Sequence, residues 1–207
     1  ISFLGVGFFA GINTVEPVMV DSAQHYFDTS NLSDITIIRP LPLNEEEIMA
    51  LRANPQVTDL DPSRFADVYL QTGDLNLPVR FFELPPQRSN AFDLLQLVEG
   101  RYPESPREIL MDASVASLGG QDLSIGTNIN IYEPHAEDNG HDLSYKSYEI
   151  VGTAHSPLYL TYERDATILG SGSIAANIFA MPEAFLGETT NYLKFRMKDL
   201  KGLPFNS

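Results

Sequence analysis

Apolar residues run almost unbroken from Ile1 to Ile12, and no charged residue appears before Glu16. A bilayer crossing needs about 20 apolar residues, so this stretch is too short to span alone. It lacks the basic flank of a signal peptide. Gly5, Gly7, Ala10 and Gly11 are small enough for close packing between membrane helices. With no N-cap and no initiating Met, residues 1–12 are expected to be the last turns of a truncated transmembrane helix. The plainer alternative is a buried first element of a soluble domain. Helical spacing continues through Val15, Met19, Ala23 and Tyr26 and ends at Asn31-Leu32-Ser33-Asp34; Pro17 fits only a first turn or a kink.

Beyond that break the period changes to that of strands. Ile35-Thr36-Ile37-Ile38 predicts a buried strand ended by Arg39-Pro40, and Val57 to Asp61 predicts a second. Between them Asn44 precedes Glu45-Glu46-Glu47, a cap followed by acids, with Ile48 and Leu51 as the apolar stripe and Asn54-Pro55 as the stop. The three pieces form a short β-α-β unit. Phe65–Leu70 and Val79–Leu84 predict strands around a Gly73-Asp74 turn. Asp112 to Leu118 is expected to be a helix capped by Gly119-Gly120. Thr127–Tyr132, Tyr145–Val151, Ala176–Ala180 and Tyr192–Met197 predict further strands, and Pro182–Phe185 a short helical turn. The C-terminal Leu200 to Ser207 stops in a loop-like segment.

Composition narrows the function. The 207 residues carry 13 Lys+Arg against 28 Asp+Glu, a net charge of −15, which argues against nucleic-acid binding and against docking on anionic lipid through a basic face. There is no cysteine, so disulfides, thiolate catalysis and Cys-ligated metals are excluded.

Candidate chemistry is sparse. His135, Glu137, Asp138, His141 and Asp142 could be drawn as a metal site, but their spacing matches no established ligand pattern and Asp138-Asn139-Gly140 reads as a solvated turn. His25 and His155 are isolated. Gly170-Ser171-Gly172-Ser173 does not join a strand to a helix as a phosphate cradle would, and reads as a loop. No nucleophile elbow, Ser-Xaa-Xaa-Lys pair or His-Glu-Xaa-Xaa-His is present. No catalytic, cofactor-binding or metal-ligating residue is assigned, and the chain is not expected to be an enzyme.

Taken in order, several segments resemble one family. Phe3 to Ile12 with Pro17-Val18-Met19 and Tyr26-Phe27-Asp28 resembles the end of the first membrane helix of FtsX-like, MacB-type ABC transporter permeases. Asn31 to Ile38, Leu43 to Ile48 and Val57-Thr58-Asp59 resemble the start of their periplasmic core domain. Glu99-Gly100-Arg101-Tyr102-Pro103, Glu108 to Met111, Ile125-Gly126-Thr127 and Tyr148 to Gly152 resemble its middle, and Ser156 to Leu160 with Phe179 to Pro182 extends the likeness. The resemblance implies an α+β fold at residues 13–207, with a β-α-β porter-like lobe and a second, β-rich lobe. The chain would leave the first lobe near Pro62 and return near Phe185. It further implies a non-catalytic domain on the extracytoplasmic side of the cell membrane. That domain would couple ATP hydrolysis to export, lipoprotein handling or regulation of a partner. A cytoplasmic ABC ATPase subunit, a second permease copy or half, and an extracytoplasmic protein or substrate are the implied partners. The alternative is a secreted or membrane-anchored ligand-binding module. A metal-dependent hydrolase built on His135 and His141 is a third reading.

Overall fold

The structure is a computed structural model that describes residues 19, 22, 25–26, 29–84, 91–134, 142–159, 165–187 and 190–198. Strand β1 (Ile35–Leu43) leads to helix α1 (Glu45–Ala53) and then strand β2 (Val57–Ser63). The helix starts where Asn44 directs it to. Asn44 Oδ1 accepts from Glu47 N at 2.8 Å, and Glu47 Oε2 accepts from Asn44 N at 3.0 Å, a reciprocal capping box. β1 runs past Arg39-Pro40, but its pairing lapses between Ile38 and Leu43, where Pro40 and Pro42 have no N–H to donate. A strand at the edge of its sheet tolerates that loss.

β1 and β2 do not pair with each other. The last strand, β12 (Thr190–Met197), lies between them and is antiparallel to both. The β-α-β unit is therefore split by the returning chain. One face of β12 carries Leu193 and Phe195, buried with Leu43 against the partly covered Ile48 and Leu51 of α1. The mixed α+β character expected from the pattern is observed.

Between Ser63 and Phe65 the chain passes into the larger lobe. Its strands are β3 (Phe65–Thr72), β4 (Leu75–Glu83), β5 (Gln96–Gly100), β6 (Glu108–Asp112), β9 (Asn128–Tyr132), β10 (Ser147–His155) and β11 (Ala176–Ala180). They are hydrogen-bonded in the order β5-β10-β6-β11-β4-β3-β9, and β9 pairs again with β10 through Asn128–Asn130 against Ser147–Glu149. That pairing closes six strands into a barrel and leaves β5 as an added edge strand. Alternation sends Ala66, Val68, Leu70, Val79, Phe81 and Ile129 inward, where they are essentially inaccessible. Burial of such side chains contributes about 1.5–3 kcal/mol each, so the barrel interior is the main stabilising core.

One expected element is absent. Asp112–Leu118 is not helical: Asp112 Oδ1 accepts from Ser114 N at 2.9 Å, turning the chain at once. Two short strands follow, β7 (Ser117–Leu118) and β8 (Gln121–Asp122). Gly119 and Gly120 between them both have positive φ, at 54° and 82°. Two consecutive left-handed residues make a tight hairpin turn, although the same glycine pair would equally suit a helix stop.

Candidate functional site at the junction of the two lobes

The second face of β12 looks away from α1. Tyr192 belongs to an aromatic cluster on the outside of the barrel, with its ring centroid 5.1 Å from that of Phe82; Phe82 also lies 6.0 Å from Phe179 and 6.3 Å from Tyr159. Lys194 is directly opposite Asp61 of β2 in the strand register. Its side chain is only 4% exposed, with Nζ 3.9 Å from Asp61 Oδ2 and 3.8 Å from Asp93 Oδ2. Arg196 places its guanidinium 5.1 Å over the Phe92 ring and donates to Asn31 Oδ1 at 2.8 Å.

Residues 91–95 form a strap across this face. Among the described residues, Asn31 and Asp93 are the non-glycine positions with positive φ, at 48° and 53°. Asn and Asp tolerate that region best, and here the two bind one another's neighbours. Asp93 N donates to Asn31 O at 3.1 Å, Leu94 N to Ser30 O at 2.9 Å, and Asn31 Nδ2 to Ala91 O at 2.7 Å. Ser33 N donates to Asp93 Oδ1 at 2.9 Å. Burial raises the Asp93 carboxyl above its ordinary range, with Lys194 and Ser33 pulling in the opposite direction. The strap thus ties together the segment entering β1, the strand leaving the small sheet and the barrel.

A second ionic group anchors residues 165–168 to the barrel wall. Asp67 of β3 faces Arg80 of β4. Arg80 Nε donates to Asp67 Oδ1 at 2.6 Å and Nη2 to Oδ2 at 2.9 Å, with both side chains excluded from solvent. Arg80 also donates to Asp165 Oδ2 at 3.1 Å and to Ala166 O at 3.0 Å, while Asp67 Oδ2 accepts from Thr167 Oγ1 and from Ile168 N. Tyr159 donates its hydroxyl proton to Asp165 Oδ2 at 2.7 Å. Breaking a buried pair held this way is strongly destabilising, because it leaves an uncompensated charge away from water.

Between the barrel, the strap, residues 156–159 and β12 lies a cleft of about 20 Å³, open on one side. Phe82, Phe179, Leu95 and Leu158 are among its walls, and Asp93, Tyr192 and Lys194 line it as polar groups. Burial pushes the Tyr159 and Tyr192 hydroxyls far above the ordinary tyrosine range, so both stay protonated.

The residues weighed from sequence fall elsewhere. His135, Glu137, Asp138 and His141 lie outside the described residues, as do Ile1–Ile12 and Leu200–Ser207. Asp142 N donates to Glu133 Oε1 at 2.7 Å. Among the described residues no group of three His, Asp or Glu is placed to hold a metal. His25 and His155 are exposed, and Gly170–Ser173 tops a short hairpin bridged by Ala166 and Ser173. No described helix is long and apolar enough to cross a membrane. Sequence pattern does not single out Asn31, Asp93 or Lys194. Their one signal is a lysine flanked by apolar residues in the Tyr192–Met197 run.

No family model matches the sequence, and the search of curated proteins found no match. Solved structures do match. The chain is similar to the periplasmic region of MacB from Actinobacillus actinomycetemcomitans, at 12% identity and a TM-score of 0.45, over 79% of this chain and 74% of that one. It is also similar to the extracellular domain of the noncanonic ABC-type transporter YknZ from Gram-positive bacteria, at 11% identity and a TM-score of 0.43, over 80% of this chain and 85% of that one. These neighbours are of the class that the sequence motifs resemble. Both TM-scores lie under 0.5, and a likeness of that degree assigns no role to any residue of this chain.

Proposed function

We propose that this chain is the extracytoplasmic domain of an ABC-type permease and acts without chemistry of its own. It would stand outside the cell membrane and pass motion from a cytoplasmic ATPase subunit to a bound partner or substrate. A second permease copy or half would complete the transporter. The ordered run of motifs from Phe3 to Pro182 supports the class. The observation that carries the mechanical role is the junction. Asp34 N donates to Phe195 O at 3.1 Å, and Met197 N donates to Asp34 Oδ2 at 2.7 Å. The segments that enter and leave the small sheet are thereby side by side, and the strap joins them to the barrel. Motion delivered at that point would move the barrel as a body.

The test is co-purification. Full-length parent protein extracted from membranes should bring an ABC ATPase subunit with it, and its ATP-driven work should fail in Asn31→Ala while ATP hydrolysis persists. A parent protein that is freely soluble and binds no ATPase would overturn the proposal. It would leave the secreted or membrane-anchored binding module.

A further inference from the structure

The chain passes between the three-stranded sheet and the barrel twice, and the first passage is a single residue long. Arg64 stands between Ser63, which ends β2, and Phe65, which begins β3. The return is made between Phe185 and Thr190, where β12 begins. Each residue carries two soft backbone dihedrals, so a link this short is by itself a natural pivot. Here side chains take up that freedom. Asn191 Oδ1 accepts from Phe65 N at 2.8 Å, and Asn191 Nδ2 donates to Phe65 O at 2.9 Å. The β12–β2 ladder ends with Tyr192 opposite Ser63, so this amide carries the pairing on to the first residue of the barrel. The Arg64 carbonyl accepts from Glu83 N at 3.0 Å. Its guanidinium donates to Glu83 Oε2 at 2.7 Å, to Gly187 O at 2.6 Å and to Pro182 O at 2.9 Å. The same group stands 5.2 Å from the centre of the Phe185 ring.

We propose that Arg64 and Asn191 lock the angle between the sheet and the barrel by fastening the two passages to each other. Arg64 joins the outgoing passage, the end of β4 and the returning segment at once, which takes a planar fork with several donors. Asn191 reaches from the returning strand to the outgoing one with both a donor and an acceptor. Neither residue belongs to a hydrophobic core, so both act as positioning residues. The strap at residues 91–95 ties the same two parts at a different place, through Asn31. The inference concerns the shape of the chain itself and does not depend on the permease reading.

The experiment is a distance measurement in the 207-residue chain, which has no cysteine of its own to take a spin label. Met49→Cys on α1 and Leu75→Cys on the barrel place one label at an exposed position on each side. Leu75 and Glu83 bound β4, so the barrel label sits about 26 Å along the strand from the lock. Double electron–electron resonance should give one narrow distance distribution in the doubly labelled chain. Arg64→Ala and Asn191→Ala should each broaden it or move its maximum while circular dichroism shows the fold retained. Arg64→Lys and Asn191→Asp serve where an alanine variant does not fold: a lysine cannot span the three acceptors, and an aspartate loses the bond to Phe65 O. Arg101→Ala, which breaks an ion pair with Glu108 made wholly on the barrel side, should leave the distribution as it was. The proposal is overturned if the starting distribution is already as broad as those of the variants, or if folded Arg64 and Asn191 variants keep it narrow. It is equally overturned if Arg101→Ala broadens it as much, or if all four variants unfold, since residues that only set an angle are not needed for folding. Failure of ATPase co-purification with these results standing would remove the permease reading alone.

Discussion

The run Glu99-Gly100-Arg101 shows how much one side chain, or the lack of one, decides. Gly100 and Gly152 are partners across β5 and β10. Gly100 has φ 79°, and a Cβ there would be driven into the Val151 carbonyl; a Cβ on Gly152 would sit 2.6 Å from Arg101 O. Gly100→Ala should cost at least about 1–2 kcal/mol through backbone strain alone, read as a drop in Tm. Gly120→Ala, also at positive φ but with nothing within 4 Å, should cost less. Beside it, Arg101 clasps Glu108 through two bonds of 2.7 and 2.8 Å. That pairing, helped by the Glu104 N–H, holds the Glu108 carboxyl down at about 2. Because the folded value is depressed, its contribution is present above the usual carboxylate range and is lost as pH falls through about 2. Glu108→Gln should therefore lower Tm near neutral pH and converge with the unsubstituted protein in strong acid. The half-exposed Arg101 keeps the effect small and salt-sensitive.

At the scale of elements, the β3–β4 hairpin is the clearest case. Asp67 and Arg80 are equally far from the Gly73-Asp74 turn, so the turn alone implies their register. What the pattern does not convey is that residues 165–168 cover the pair and make it buried. Asp67→Ala should cost about 3–5 kcal/mol in urea denaturation, because it strands a guanidinium away from water. Replacing both, as Asp67→Leu with Arg80→Met, should recover most of that loss. The helix α1 is legible for the opposite reason. Its cap, acids and stop lie within a few residues of one another, and no distant partner is needed. Gly119-Gly120 misleads because a local signal serves two elements equally well.

For the whole molecule, the junction is where a buried carboxyl makes stability depend on pH. The Asp93 carboxyl is raised by burial, so its contribution to stability is full below the ordinary carboxylate range and declines as pH rises through its folded value. Asp93→Asn keeps the tolerance for left-handed backbone and an acceptor for Ser33. Its Tm relative to the unsubstituted protein should improve from acidic to neutral pH. Asp93→Ala removes that acceptor and should be destabilised at both. Hydrogen exchange gives an independent check: Asn31→Ala should speed exchange in β1 and β12 while the barrel strands stay protected.

The amino-acid sequence by itself determined the α+β character, the capped helix and most strands, since these depend on nearest neighbours and on period, and its lack of cysteine excluded thiol chemistry. Periodicity states which face a residue shows, and it does not name the strand that will lie beside it. Closure of the barrel through β9 and β10, the insertion of β12 between β1 and β2, and the meeting of Asn31, Asp93 and Lys194 all join positions far apart in the chain. Tertiary structure decided those, because only the packed molecule brings such distant groups within bonding distance.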